Sequence, residues 1–311
     1  GGGYGGYGGS GNVAGGITYG SITAPVDPGS GGGLVNSDGG DGGGVIQLTV
    51  SGTMTVNGSV NGNGDDGTPV AVARGGGSGG SVYLTVGTLA GTGSITANGG
   101  MSNTTGGGGG GGRIALLYTT DSSTLATLSA YGGVMESADN PNFAGAGTIY
   151  KKAAAATNGD LIIDNNFQDA AQDDYYMGKT PLTGTSTFET LTVRSRGHMV
   201  LYPDSSITYN TLTWSSSGTI EDNSAAAFAL VTGGGTLTVP ATSRLYTNVA
   251  RTFTTGTVTG SLTHGTNSTT ADYKINLTFS SLTIEPEGSI AANGKGHFRG
   301  EGPGAGVDNT S

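Results

Sequence analysis

Acidic residues set among glycines are the first side chains with a recognisable chemistry. Asp38 and Asp41 lie in an Asn-Ser-Asp-Gly-Gly-Asp stretch, and Asp65 and Asp66 follow Asn-Gly-Asn-Gly. Carboxylates in glycine-rich loops ligate calcium in some repetitive solenoids. The nonapeptide calcium repeat is absent here, and a solvated turn explains the same residues. These four aspartates are therefore the candidate calcium ligands, and no other cofactor is indicated.

A second charged group could act on polysaccharides. Enzymes of that class on parallel β-helices need two carboxylates a short distance apart, or calcium carboxylates beside a basic residue that takes a proton. Asp173 and Asp174 are the candidate carboxylates, and Arg194 and Arg196 follow on the next predicted strand. Adjacent residues on a strand point to opposite faces, which weakens the pairing. We interpret the aspartates as a solvated acidic loop and expect no enzymatic activity.

The histidines do not have the spacing of a metal site. Only His198, His264 and His297 are present, and none lies two or four residues from another. We interpret each histidine as an ordinary turn or surface residue.

Asparagines in Asn-x-Ser/Thr sequons are candidates for glycosylation, which would place them on the surface of an exported protein. These candidates are Asn57, Asn103, Asn267, Asn276 and Asn309.

The elements that must position these residues alternate glycine runs with short strands. Seven consecutive glycines at 106–112 lead into Arg-Ile-Ala-Leu-Leu-Tyr, and shorter runs lead into Val-Ile-Gln-Leu-Thr-Val at 45–50 and Ser-Val-Tyr-Leu-Thr-Val at 81–86. β-Branched and aromatic residues suit strands, whereas glycine permits positive φ or very close backbone approach. The pattern predicts the repeating coil of a β-solenoid, with the runs packed as extended polyglycine. A flexible linker is the alternative for the runs.

Composition narrows the class of protein. The chain has 311 residues, 64 of them glycine, with 11% charged residues, a net charge of −10 and no cysteine. The acidic balance argues against nucleic acid as a partner, because phosphate needs basic surfaces. No apolar run approaches the length that spans a membrane. Low charge with abundant threonine, serine and asparagine predicts an extracellular or cell-surface location.

Three regions differ in character. Residues 1–152 are predicted as glycine-rich solenoid coils, and residues 153–281 as a Thr/Ser-rich β region with period-2 alternation. That middle region fits either solenoid rungs of roughly twenty residues or a β-sandwich. Residues 151–156, Lys-Lys-Ala-Ala-Ala-Ala, are predicted as a connection. Residues 282–311 begin a further glycine-rich coil.

The two ends of the sequence complement each other. Residues 282–294 repeat the plan of residues 84–98, namely strand, turn, Gly-Ser-Ile strand and Asn-Gly. The glycine run and strand that should follow are supplied by the start of the sequence. This predicts that residues 294–311 of one period and 1–16 of the next complete one coil, head to tail.

The glycine-rich coils resemble those of large repetitive surface proteins of bacteria and archaea, often called adhesin-like. The motifs that carry the resemblance are Gly-Ser-Ile-x-Ala-Asn-Gly at 93–99 and 288–294 and Gly-Gly-Arg-Ile-Ala at 111–115. The resemblance implies an extracellular structural or adhesive role without enzymatic activity.

The fold class expected from all of this is all-β, a glycine-rich right-handed parallel β-helix, with a sandwich-like middle region as the open alternative. The leading functional hypothesis is a structural subunit, or one tandem period, of an extracellular filament or surface layer. A carbohydrate- or host-binding adhesin module, with surface glycans as partners, is the second hypothesis. A polysaccharide-acting enzyme is the third.

Overall fold

The computed structural model describes residues 1–11, 14–33, 39–67, 74–102, 106–134, 143–166, 178–225, 231–232 and 235–305. Within these ranges the chain is all-β and contains no helix, as the sequence predicts. The strands, in chain order, are β1 (Val45–Thr55), β2 (Ser59–Asn61), β3 (Ser81–Ala90), β4 (Ser94–Thr96), β5 (Arg113–Asp121), β6 (Thr127–Ser129), β7 (Thr148–Ala153), β8 (Asp160–Asp164), β9 (Thr180–Leu182), β10 (Thr185–Arg194), β11 (His198–Leu201), β12 (Ser206–Trp214), β13 (Thr219–Asp222), β14 (Val231–Thr232), β15 (Thr236–Val239), β16 (Arg244–Thr247), β17 (Arg251–Val258), β18 (Ser261–Thr263), β19 (Leu277–Ile284) and β20 (Ser289–Ile290).

These strands form four sheets. The strand orders are β1-β3-β5-β7-β8-β10-β12, β20-β18-β16-β13-β11-β9, β14-β15-β17-β19 and β2-β4-β6. By contacts the chain falls into two compact units: Gly1–Pro181, Thr187–Met199 and Tyr209–Thr213 make the first, and Leu182–Ser186, Val200–Thr208 and Trp214–Ser311 make the second. The three-part division of the sequence at residues 152 and 281 describes composition and stays a prediction.

In the first unit, successive coils stack in parallel register. Each coil adds one strand to the seven-stranded sheet and one to the three-stranded sheet, so β1 and β2 are followed by β3 and β4 and then by β5 and β6. Like residues therefore stack on like: Leu48 pairs with Leu84, and Leu84 pairs with Leu116. Leu84 and its buried neighbours form the apolar core that this stacking produces.

The direction of the strands reverses between β7 and β8, which pair antiparallel through Ile149 and Ile162. β7 also extends further than the sequence predicts, because Lys151 and Lys152 belong to the strand and not to the connection assigned to residues 151–156. The parallel pairing of Lys151 and Lys152 with Leu116 and Leu117 of β5 extends the strand, and the ammonium of Lys151 lies 2.8 Å from the carboxylate of Asp121 at the end of β5. Parallel pairing resumes from β8 to β10.

Much of the middle region is also paired in parallel. β13, β16, β18 and β20 form one parallel series, and β15, β17 and β19 form another, although β14 meets β15 antiparallel. A β-sandwich is built from antiparallel sheets. The predominance of parallel pairs here is therefore compatible with solenoid rungs and departs from the sandwich alternative.

The glycine run at 106–112 is an ordered and buried segment whose hydrogen bonds repeat every three residues. The NH groups of Gly109 and Gly112 donate to one neighbouring segment, at the carbonyls of Gly100 and Ala97, over 2.9 and 2.7 Å. Between them, the NH of Gly110 donates to Gly2 and that of Gly111 donates to Gly145. A repeat of three is the period of the polyproline II helix, in which successive groups point in three directions. The prediction of packed polyglycine is confirmed, and the linker alternative is not.

The carbonyls of the run follow the same period. Gly107 and Gly110 accept from one segment, at the NH groups of Gly76 and Gly79, whereas Gly108 and Gly111 accept from residues 5–9. Gly109 accepts from Gly133. Residues 1–9 thus lie inside the glycine lattice of their own unit, which the sequence analysis did not foresee.

Close backbone approach, and not positive φ, explains why this segment is glycine. None of residues 106–112 has a positive φ. A Cβ on Gly110 would come nearer than 3.0 Å to the carbonyl oxygen of Gly6, and one on Gly108 would meet that of Gly133 in the same way. Backbone carbonyls cannot rotate away as side chains do, so the lattice excludes every residue larger than glycine here.

We expect Gly110→Ala to lower the free energy of unfolding by about 2 kcal/mol or more, because overpacking against backbone forces neighbouring segments apart. Gly44→Ala is the matched control, since a Cβ there meets nothing within 4 Å. It should change the free energy by less than about 0.5 kcal/mol. Urea denaturation of the two variants measures both values. Equal stability of the two variants would contradict the lattice.

Candidate functional site

Of the candidate calcium ligands, the structure describes Asp41, Asp65 and Asp66. The backbones of Asp41 and Asp65 are adjacent, since the NH of Asp65 donates to the carbonyl of Asp41 over 2.8 Å. The carboxylate of Asp66 accepts a hydrogen bond of 2.6 Å from the NH of Met101, so it supports a neighbouring coil. Asp38 lies outside the described residues. Among the residues that are described, no group of three or more His, Cys, Asp or Glu side chains could hold a metal ion.

Of the residues considered for polysaccharide chemistry, the structure describes Arg194 and Arg196. Asp173 and Asp174 lie outside the described residues. Arg194 is paired with Asp164 at 2.7 Å, across the neighbouring strands β10 and β8. Arg196 lies in the turn after β10 with a φ of 64°. Arg194 therefore has a structural partner of its own.

The interpretation of all three histidines as turn or surface residues is wrong for two of them. His198 begins β11 and is buried, and His264 is also buried. Nδ1 of His264 lies 2.7 Å from the carbonyl oxygen of Gly265, and Nδ1 of His297 lies 2.6 Å from that of Ser268. The alternation of His-Met-Val-Leu at 198–201 does not reveal this, because the strand is buried on both faces.

The sequons differ in accessibility. Asn57 and Asn276 are exposed, whereas Asn267 is buried. The side-chain nitrogen of Asn267 donates to the carbonyls of Tyr273 and Lys295, and its oxygen accepts from the NH of Tyr273. A glycan on Asn267 would break those bonds. Asn103 and Asn309 lie outside the described residues.

A buried arginine that the sequence analysis did not single out fastens the glycine-rich start of the chain. Arg113 begins β5, immediately after the glycine run, and is only 4% exposed. Nε donates to the carbonyl of Tyr19 over 3.0 Å, one terminal nitrogen donates to Thr148 over 3.1 Å, and the guanidinium lies 5.5 Å from the centre of the Tyr4 ring. Burial lowers the pKa of Arg113 to about 10, although the charge of Asp27 opposes the shift.

Tyr4 connects this arginine to the preceding coil. Its hydroxyl lies 2.6 Å from Oγ of Ser81, which itself donates its proton to the carbonyl of Asp27. The tyrosine hydroxyl must therefore be the donor to Ser81. Burial raises the pKa of Tyr4 and outweighs the hydrogen bond to Ser81, which lowers it. These bonds hold three segments of the chain together, which gives the cluster a structural role.

A second buried charge, the carboxylate of Asp222, is also paired within the chain. Both carboxylate oxygens of Asp222 accept from Arg251, at 2.9 and 3.1 Å. Oγ of Ser224 donates to the same carboxylate over 2.7 Å. This fork-to-fork geometry is the strong form of the arginine–carboxylate pair. It stabilises the turn after β13 and leaves no carboxylate oxygen for a substrate.

Asparagines connect successive coils at one corner. Oδ1 of Asn63 accepts from the NH of Asn98 over 2.7 Å, and Oδ1 of Asn98 accepts from the NH of Tyr131 over 3.1 Å. Asn98 belongs to the Gly-Ser-Ile-x-Ala-Asn-Gly motif, so the asparagine of that motif bonds to the coil that follows it. No earlier coil precedes Asn63 in the sheet order, and its NH donates instead to Oδ1 of Asn61.

The most unusual surfaces are the terminal strands of the sheets. The first rung, β1 and β2, ends the seven- and three-stranded sheets, and the last rung, β19 and β20, ends the four- and six-stranded sheets. Each rung leaves core-facing side chains uncovered. Leu48, which stacks on buried Leu84, is 41% exposed, and Ile284, which stacks on buried Val258, is 50% exposed. These rows, and not an acidic pocket, are the candidate functional surfaces.

We expect Arg113→Met to lower the free energy of unfolding by about 2 kcal/mol or more, because the Tyr19 carbonyl and Thr148 lose a buried donor. Arg194→Met is the control, since its ion pair is at the surface and should contribute less than about 1 kcal/mol. Chemical denaturation with tyrosine fluorescence measures both. A smaller loss for Arg113→Met than for Arg194→Met would contradict the role assigned to the cluster.

We expect excess chelator to leave the melting temperature unchanged, because Asp41 and Asp65 meet through backbone atoms and Asp66 is committed to Met101. A ligand that binds only the folded chain would raise the melting temperature by mass action. Thermal melts with calcium and with chelator decide the point. A fall of several degrees in chelator would restore the calcium hypothesis.

The part of the chain that the structure describes contains no helix long and apolar enough to cross a membrane. No protein-family model, no curated protein and no solved structure matches the chain. Its function is therefore argued from its own residues.

Proposed function

We propose that the chain is a structural subunit, or one tandem period, of an extracellular filament or cell-surface layer. The observation that carries the proposal is the pair of uncovered rungs, at β1 with β2 and at β19 with β20. Sheet edges recruit further strands unless they are covered, charged or interrupted. A chain with two such edges can add copies at both, which is the property that a polymer subunit needs.

The buried polar groups support a structural role. The Arg113 and Asp222 clusters use their polar atoms internally, and the glycine lattice uses its backbone groups in the same way. An enzyme needs at least some preorganised polar groups that face a substrate. The composition, low in charge and rich in threonine and serine, supports an extracellular location. In this proposal the coils of β1 to β6 wind as a right-handed solenoid, the hand that parallel crossover connections adopt.

The ends of the sequence have unequal parts in this proposal. Residues 294–305 are largely exposed, whereas residues 1–9 are hydrogen-bonded within the lattice of the first unit. Completion of one coil by residues 1–16 and 294–311 of neighbouring periods therefore requires the incoming segment to join a lattice that already holds residues 1–9. The exposed rungs offer contacts that need no such rearrangement.

Electron microscopy and sedimentation of the purified chain over a range of concentrations test the proposal. We expect ordered fibres or sheets that lengthen with concentration, because uncovered rungs are satisfied only by further copies. A discrete monomer at all concentrations would contradict the structural role. If that monomer bound glycans, the adhesin hypothesis would take its place.

A further inference from the structure

The first and last rungs carry the same motif in the same register. Ser59 is followed four residues later by Asn63, and Ser289 by Asn293. Within the chain, Ser59 pairs with Ser94, which is followed by Asn98 at the same distance. The stacking of such rungs is thus already shown by one pair of coils in the first unit.

The uncovered rows match when the last rung is placed against the first in this register. Ser289 and Ile290 of β20 then face Ser59 and Val60 of β2. Within the chain, Ile290 already stacks on Leu262 and Val60 already stacks on Ile95. Leu262 and Ile95 are both fully buried. Joining the rungs would continue one apolar row through both copies. Ile290, which is 37% exposed, would gain the cover that Leu262 already has.

The asparagine bonds have the right direction for this contact. In two successive pairs of the first unit, Asn63 with Asn98 and Asn98 with Tyr131, Oδ1 of one rung accepts from the NH of the rung that follows it. Asn293 of the last rung is exposed and has the same position in the motif as Asn98. The NH of Asn63, which donates to Asn61 two residues away, is the corresponding donor on the first rung.

Charge complements the apolar match. Two residues beyond the motif asparagine, the first rung has Asp65 and the last rung has Lys295. Asp65 is exposed, and Lys295 is partly exposed with its ammonium 5.5 Å from the Tyr246 ring centre. Neighbouring strands lie about 4.8 Å apart, so in-register rungs would bring the two side chains within ion-pair distance.

We propose that the last rung of one copy, β19 and β20, binds edge to edge against the first rung, β1 and β2, of a second copy, with Ser289 opposite Ser59. This inference rests on the proposed function and names its contact surface. The two surfaces differ, so the contact is heterologous and leaves one free rung at each end of any oligomer. Such contacts propagate as filaments when no rotation closes them.

Engineered cysteines test the register, since the chain has none of its own. Ser59→Cys and Ser289→Cys chains are mixed and oxidised, because in-register positions on neighbouring strands have the spacing of a disulfide. We expect a disulfide-linked dimer of the two variants. Ser51→Cys, also exposed on the first rung, is the matched control with Ser289→Cys and should give at least about tenfold less dimer. Equal yields from the two mixtures would overturn the register.

Substitutions on the last rung test the surface separately. Ile284→Asp should weaken self-association more than about tenfold in sedimentation, whereas Thr283→Asp, whose side chain points away from the row, should change it little. Far-UV circular dichroism confirms that each variant is folded.

A charge exchange tests the ion pair across the contact. Asp65→Lys and Lys295→Asp should each weaken association, because each places like charges opposite one another. Mixing the two variants should restore the contact, since the substituted last rung of one chain then meets the substituted first rung of the other with opposite charges. A mixture that associates no better than either variant alone would overturn this pairing.

The outcomes separate this contact from the proposed function. Filaments that form normally from Ile284→Asp and give no Ser59–Ser289 crosslink would overturn the contact while the structural role stands. A specific crosslinked dimer that never grows into longer assemblies would support the contact and contradict the filament. A chain that stays monomeric and uncrosslinked at all concentrations would overturn both.

Discussion

The glycine lattice depends on one steric fact, the absence of a Cβ from segments that touch on every side. A strand with side chains can bond to neighbours in only two directions, because its side chains occupy the other two. The run at 106–112 bonds in three directions at successive residues, so residues 1–9, 75–80, 97–100 and 145–147 can all surround it. Buried backbone groups must be paired, and here they pair with one another instead of with a strand ladder. Hydrogen bonds and close packing thus stabilise the lattice, as apolar side chains stabilise the core beside the lattice.

This constraint also decides where the side-chain core begins. β3 and β5 start at Ser81 and Arg113, directly after their glycine runs. Those first residues lie on the border between the lattice and the stacked apolar rows, and both contact Tyr4. A large aromatic ring can enter a lattice of glycines only at such a border, where side chains on the strand side leave room for it. Arg113 lies at that border. Its guanidinium donates to the carbonyl oxygen of Tyr19 and the hydroxyl oxygen of Thr148.

Sequence patterns predict the part of this fold that side chains carry. The strand core of Val-Ile-Gln-Leu-Thr-Val and its repeats identifies the stacked coils, and the Gly-Ser-Ile and Asn-Gly motifs identify their second strand. The three-residue period of the lattice cannot be recognised in the sequence, because every position in the run is glycine. The reversal at β7 and β8 is also hidden, since Lys151 pairs with Leu116 of β5 on one side and with Asp160 of β8 on the other, and its residue type indicates neither pairing. The role of Asp66 is hidden in the same way, because its carboxylate accepts from the NH of Met101, which only the stacking of coils brings near it.

The uncovered rungs follow from the way in which the coils are held together. Within the first unit each coil is held by stacking in register, by an asparagine bond and by the lattice beside it, and nothing in these interactions identifies the last coil as last. Proteins that must stop at an edge use a charge pointing inward, a bulge or a covering element. The first rung has a register shift in β1 between Val50 and Thr53 and a bond from the NH of Asn63 to Asn61, which one side-chain rotation can release, and neither covers Leu48. A contact with another copy would therefore use the same interactions as the interior of the stack. Such a contact needs no separate interface elsewhere on the chain.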